Sequence, residues 1–65
     1  MQIVLNGEAE DLDEPATVAT LLAVRRPRPP FAVELNKNLV RRQAYEATAL
    51  SEGDVVEIVT LVGGG

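Results

Sequence analysis

The run Val55-Val56-Glu57-Ile58-Val59-Thr60 decides how this chain folds. It is the run with the highest β-propensity in the sequence, because every residue except Glu57 is β-branched. Apolar residues stand at both odd and even positions, which is typical of a strand in the middle of a sheet. Ser51-Glu52-Gly53-Asp54 precedes the run and has the composition of a turn. We therefore predict a central strand that begins at a defined turn.

The strand leads directly into Leu61-Val62-Gly63-Gly64-Gly65. Three successive glycines have no side chain to bury, and glycine loses more backbone entropy on ordering than any other residue. Such a segment is either an incidental end or a thin arm that enters a narrow slot in another protein. We predict a folded body over residues 1–60 and a flexible C-terminal tail over residues 61–65 that ends in Gly-Gly.

The first strands form a hairpin. Met1-Gln2-Ile3-Val4-Leu5 places its odd-numbered, apolar residues on one face, which is the pattern of a half-buried strand. Asn6-Gly7 follows, and this dipeptide favours a type I′ turn because both of its residues tolerate positive φ. The returning strand, Glu8 to about Leu12, is acidic, which is typical of an edge strand.

A short helix follows the hairpin. Thr17 is the predicted N-cap, and Val18, Leu21 and Leu22 are spaced to form one apolar stripe. The helix should reach about Val24, because the prolines that soon follow cannot continue it.

Two further strands come before the run that opened this section. Phe31-Ala32-Val33-Glu34-Leu35-Asn36 alternates between apolar and other residues, and Leu39-Val40 forms a short strand after a turn. Residues 41–48 are expected to be irregular or briefly helical. The order of elements predicts an α+β fold of the β-grasp (ubiquitin-like) type, with a mixed sheet of four to five strands packed on one short helix. If the first and last strands are parallel neighbours at its centre, the last strand delivers the tail into solvent at one corner.

Composition limits the function. The 65 residues carry a net charge of −4 and include no Cys and no His. A disulfide framework, a thiolate nucleophile, most nucleophile–base pairs and a structural zinc site are therefore not expected. The acidic balance disfavours nucleic-acid binding, and no apolar run approaches the roughly 20 residues of a membrane span. We expect a cytoplasmic protein that is neither an enzyme nor a metal protein.

Several segments together resemble one family, the bacterial ThiS sulfur carriers of thiamine biosynthesis, and the similarity covers essentially the whole chain. The most specific parts are Gly53-Asp54 before the last strand and Gly64-Gly65. The segment Arg25–Pro30 is more basic and richer in proline than the family's usual connector. The other segments that carry the resemblance are Met1-Gln2-Ile3, Asn6-Gly7, Thr17-Val18 with Leu21-Leu22, Phe31–Asn36, Leu39–Arg42 and Leu50–Thr60.

The resemblance implies a mechanism and its partners. A ThiF-like adenylyltransferase would use ATP to adenylate the carboxylate of Gly65, and the adenylate would become a thiocarboxylate. The sulfur would come from cysteine through a cysteine desulfurase or a sulfur relay, and a ThiG-like thiazole synthase would accept it. The chain itself would be a protein cosubstrate with no bound cofactor. Gly64 is then the required neighbour of Gly65.

Physical chemistry is consistent with these roles. A terminal carboxyl group has a reference pKa of about 3.3–3.7, so it is ionised and nucleophilic towards ATP at neutral pH. Five extended residues span at most roughly 17 Å, which is enough to thread a covered active site. A Cβ in the tail would widen it, so Gly63 and Gly64 are expected to matter for entry. Leu61 and Val62 are predicted partner contacts.

Two other readings remain open. The chain could be a related carrier, such as the small subunit of molybdopterin synthase or another ubiquitin-like sulfur donor, with the same tail chemistry and a different acceptor. It could also be a non-catalytic β-grasp interaction module whose glycines are incidental. Removal of Gly65 separates a carrier from a simple binding module.

Overall fold

The computed structural model describes residues 1–61 and contains one five-stranded mixed sheet with one α-helix on one of its faces. The strand order is β2-β1-β5-β3-β4; β1 and β5 are parallel, and the other neighbours are antiparallel. The predicted β-grasp arrangement is confirmed, and the first and last strands lie side by side at its centre. The elements are β1 (Gln2–Leu5), β2 (Glu8–Asp11), α1 (Val18–Arg25), β3 (Phe31–Leu35), β4 (Asn38–Val40), a 3₁₀ turn (Arg42–Ala44) and β5 (Val55–Thr60).

The hairpin turn has the backbone that the sequence predicts. Asn6 has a φ of 50° and Gly7 a φ of 83°, so both central residues lie in the left-handed region that a type I′ turn requires. The strands on either side are in register, with Leu5 opposite Glu8. β2 is an edge strand, as its acidic composition indicates.

Threonines fix the start of α1. The Thr17 hydroxyl accepts from the backbone N–H of Thr20 at 3.2 Å, and the Thr20 hydroxyl accepts from the N–H of Thr17 at 2.8 Å. This reciprocal pair satisfies two of the donors that a helix N-terminus leaves free. The helix runs one residue beyond the predicted Val24. It ends where Arg26 adopts a φ of 50° and donates its N–H to the Leu22 carbonyl at 2.7 Å.

The core lies between α1 and the inner face of the sheet. Val18 and Leu21 of the helix are at most 1% exposed, as are residues on three strands. No polar or charged residue among the described ones is buried. The fold is therefore held by aliphatic packing on one side of the sheet. The buried residues are Ile3, Leu5, Ala16, Val18, Leu21, Val33, Leu50 and Val56.

β5 is apolar on both faces in sequence, yet only one face is covered. Val56 is fully buried under α1, whereas Val55 is 41% and Val59 48% exposed on the opposite side of the sheet. The difference has a simple cause, because α1 is the only α-helix of residues 1–61 and packs on the other face. No helix in this described part of the chain is long and apolar enough to cross a membrane.

Candidate functional site

The base of the predicted tail lies at the end of the central strand. The N–H of Leu61 donates to the Pro30 carbonyl at 2.8 Å, which extends the β3–β5 ladder by one residue. The Leu61 side chain is 49% exposed, as a partner contact requires. The other predicted tail residues, Val62, Gly63, Gly64 and Gly65, lie outside the described residues.

The amide side chain of Asn6 extends the ladder between β1 and β5. β1 ends at Leu5, but the Asn6 amide oxygen accepts from the Ile58 N–H at 2.8 Å, and its nitrogen donates to the Ile58 carbonyl at 3.4 Å. The backbone N–H of Asn6 also donates to the Val56 carbonyl at 2.9 Å. The backbone and side chain of this one turn residue therefore continue the hydrogen bonding beside β5 beyond the end of β1.

A second asparagine holds the start of β5 from the other side. The Asn36 amide oxygen accepts from the Val55 N–H at 2.9 Å, and its nitrogen donates to Asp54 Oδ1 at 3.1 Å. The other oxygen of Asp54 accepts from the Ser51 N–H at 2.8 Å. The sequence identifies Asn6 and Asp54 only as turn residues and Asn36 only as the end of a strand segment that leads into a turn. Their role as fasteners of β5 depends on contacts between segments 18 to 52 residues apart, which no local pattern reveals.

Replacing Asn6 with Gly should isolate this contribution. Glycine accepts the positive φ of the turn but has no amide group, so the hairpin remains while the two bonds to Ile58 are lost. A net loss of about 1 kcal/mol corresponds to roughly fivefold to tenfold faster local exchange. Hydrogen-exchange NMR should show this increase at the Ile58 amide. The amide of Leu21 in α1 is the control, and its exchange rate should change only as much as the global stability of the variant changes. An unchanged exchange rate at Ile58 would contradict the described role of Asn6.

The uncovered side of the sheet, here called the outer face, is mostly apolar and carries two glutamates at its centre. Strand register places the residues of this face beside one another, and Leu39 is the most exposed of its apolar side chains at 59%. Exposed apolar area on a small protein marks a contact surface. Its residues on β1, β5, β3 and β4 are Gln2, Val4, Ala32, Glu34, Leu39, Val55, Glu57 and Val59.

The described residues offer a contact surface and no catalytic cluster. No group of three or more potential metal ligands lies together among residues 1–61. The carboxylates of this part of the chain lie on the surface, since none of its charged residues is buried.

Comparisons with known proteins agree on one family. The sequence model of the ThiS family matches residues 3–65. Over its full length the chain is 36% identical to part of a thiazole synthase from Paramagnetospirillum magneticum and 41% identical to part of one from Magnetococcus marinus. It spans 20% of the length of each of these relatives.

A solved structure gives the same answer for the fold. The crystal structure of the thiamine biosynthesis protein ThiS from Geobacter metallireducens superimposes with a TM-score of 0.85 at 33% sequence identity. The match covers 100% of both chains, so the two chains are similar over their whole length. This chain belongs to the ThiS family.

Proposed function

We propose that this protein is the sulfur carrier for synthesis of the thiazole ring of thiamine. The observation that carries the proposal is the match of the whole chain, including its terminal glycines, to the ThiS family. The geometry of β5 supports it, because the strand that precedes the glycines is fastened on both sides by Asn6 and Asn36. A tail that enters another protein's active site benefits from a base of this kind.

In the proposed reaction the chain supplies only a carboxylate. An oxygen of the Gly65 carboxylate attacks the α-phosphorus of ATP on a ThiF-like adenylyltransferase, which forms an acyl-adenylate and releases pyrophosphate. The terminal sulfur of a persulfide, which a cysteine desulfurase forms from cysteine, then attacks the acyl carbon and displaces AMP, which gives an acyl disulfide. A thiol reduces the S–S bond and releases the thiocarboxylate. A ThiG-like thiazole synthase accepts the sulfur in exchange for an oxygen of its carbonyl substrate or of water, and the carboxylate is regenerated. The adenylate matters because a carboxylate is a poor electrophile, whereas AMP is a good leaving group.

The proposal makes the protein a cosubstrate and not a catalyst. ATP is consumed by the activating partner, and the chain is proposed to bind no cofactor of its own. Gly64 and Gly63 act by their small size, since a Cβ at either position would widen the arm in a narrow channel.

Mass spectrometry tests the proposal directly. The protein is incubated with the adenylyltransferase, a cysteine desulfurase, cysteine, ATP and a thiol reductant, and the intact mass and fragment masses are measured. We expect one oxygen to be replaced by sulfur, with the change mapped to Gly65. Fragment masses are needed because oxidation of Met1 gives the same nominal mass change. An unmodified Gly65 with active partners would overturn the proposal. Transfer to the molybdopterin synthase large subunit, but not to thiazole synthase, would overturn its assignment to thiamine.

The base of the tail should contribute to partner binding. We expect a double substitution, Leu61→Asp and Val62→Asp, to weaken binding to the adenylyltransferase by at least about tenfold, because exposed apolar side chains at the centre of an interface carry much of its energy. Isothermal titration calorimetry measures the loss. Val24→Asp is the matched control, since Val24 is an apolar residue that is 74% exposed on α1. Equal binding by the two variants would exclude Leu61 and Val62 as contacts.

A further inference from the structure

The outer face has a charge pattern that its apolar residues alone do not explain. The register of β3 and β5 places Glu34 directly opposite Glu57, and the next pair on the same face of the sheet is Ala32 and Val59. On the far side of β3, Leu39 of β4 lies opposite Glu34. Directly opposed residues in an antiparallel pair have Cβ atoms about 4.5–5.5 Å apart. Two glutamates therefore stand at directly opposed positions within an exposed, mostly apolar surface.

Neither glutamate of this pair forms an ion pair within the described part of the chain. The ion pairs found there join Arg25 to Glu10 and the α-amino group of Met1 to Glu14, so neither Glu34 nor Glu57 has a cation within 4.0 Å. The residues that the register places on this face include no Lys or Arg. Like charges directly opposite each other destabilise a sheet. A cation placed between the two glutamates by another protein would therefore be attracted by both of them.

We propose that the outer face docks on thiazole synthase and that the synthase places a cationic side chain between Glu34 and Glu57. This inference rests on the proposed function and adds the chemistry of the partner surface, an apolar area with an Arg or Lys at its centre. Two synthases contain a region similar to this chain as 20% of their own length. A domain of this type is therefore found as a direct neighbour of that enzyme, which is why the synthase is the chosen occupant.

A second copy of this chain fits the face poorly. Two copies related by a two-fold axis would present the same patch to each other. The carboxylate pair of one copy would then be buried near the pair of the other, and burial of unpaired like charge is strongly unfavourable. Charge complementarity therefore favours a different protein with a basic centre.

The sign of one mutational effect tests the inference. The double variant Glu34→Gln and Glu57→Gln removes both charges and keeps the side-chain shape. If a cation of the synthase lies between them, binding to recombinant thiazole synthase from the same organism should weaken by at least about tenfold, and its dependence on salt concentration should decrease. If the partner surface is purely apolar, neutral side chains are easier to bury, and binding should stay equal or become tighter. Glu46→Gln, an exposed acid after the 3₁₀ turn, is the matched control.

Further measurements separate the possible outcomes. The melting temperature of the double variant should equal or exceed that of the wild type, because the like-charge repulsion is gone, so weaker binding cannot be attributed to unfolding. A wild type that gains a thiocarboxylate while the double variant binds the synthase normally would overturn this inference and leave the proposed function intact. A wild type that never gains a thiocarboxylate would overturn the proposed function, whatever the binding result.

Other occupants would also be recognised. A double variant that binds the synthase normally but is adenylated slowly would show that Glu34 and Glu57 contact the adenylyltransferase. That result would overturn the choice of the synthase. Sedimentation that shows a wild-type dimer, strengthened by the double substitution, would assign the face to a second copy.

Discussion

Deletion of Gly65 is expected to abolish thiocarboxylate formation while the folded body remains intact. The shortened chain still ends in a glycine carboxylate, but that carboxylate lies about 3.5 Å short of its position in the partner's active site. Nucleophilic attack requires the reacting atoms to be held within about 3–3.5 Å, and a misplacement of about 1 Å can cost roughly a hundredfold in rate. We expect a loss of at least about a thousandfold, measured as the rate of appearance of the sulfur-containing mass.

Gly65→Ala is the informative control for this deletion. It keeps the length of the tail and its terminal carboxylate and adds a single Cβ, so its loss measures the width of the channel and not its depth. The alanine variant should therefore react faster than the deletion variant. A deletion variant that forms the thiocarboxylate at the wild-type rate would show that the activating partner does not recognise the position of the terminal carboxylate.

Replacing Leu21 with Ala is expected to cause the largest loss of stability. Leu21 is 1% exposed on the inner stripe of α1, and loss of a buried leucine side chain typically costs about 2–5 kcal/mol. A domain of this size has a total unfolding free energy of roughly 3–10 kcal/mol, so a large part of its stability depends on this one residue. The melting temperature should fall by more than about 10 °C in a circular-dichroism melt.

The same helix supplies the control. Val24 is 74% exposed, so Val24→Ala removes methyl groups that are already in water and should change stability by less than about 0.5 kcal/mol. The two substitutions alter the same helix by comparable amounts of apolar volume. Similar losses for both would mean that α1 does not pack through Leu21 as described.

Local chemistry made much of this fold predictable from sequence. Asn6-Gly7 specifies its turn because both residues accept positive φ, and both adopt it. Thr17 specifies the start of α1 because its hydroxyl can replace a missing helical acceptor, and it does so. Each of these signals acts within a few residues, so a single sequence contains all the information that is needed. The order of elements then leaves few arrangements for one sheet and one helix.

Features that depend on distant contacts were not predictable in the same way. The sequence of β5 does not show whether Val55 or Val56 faces the core, because both are valines and the choice depends on where α1 packs. The fastening of Ile58 by Asn6 joins residues 52 positions apart. The predicted roles of Gly63, Gly64 and Gly65 lie outside the described residues and stay predictions.

The position of β5 also has a mechanical consequence. A partner that pulls on the tail applies its force along the axis of a strand that is flanked on both sides, by β1 with Asn6 and by β3. Hydrogen bonds between antiparallel strands run perpendicular to the strands, so a pull along the axis loads the β3–β5 bonds in shear and all at once. A tail attached to an edge strand would instead let its bonds open one after another. In the proposed function, the tail could therefore be drawn into a deep active site and withdrawn from it while the sheet stays intact.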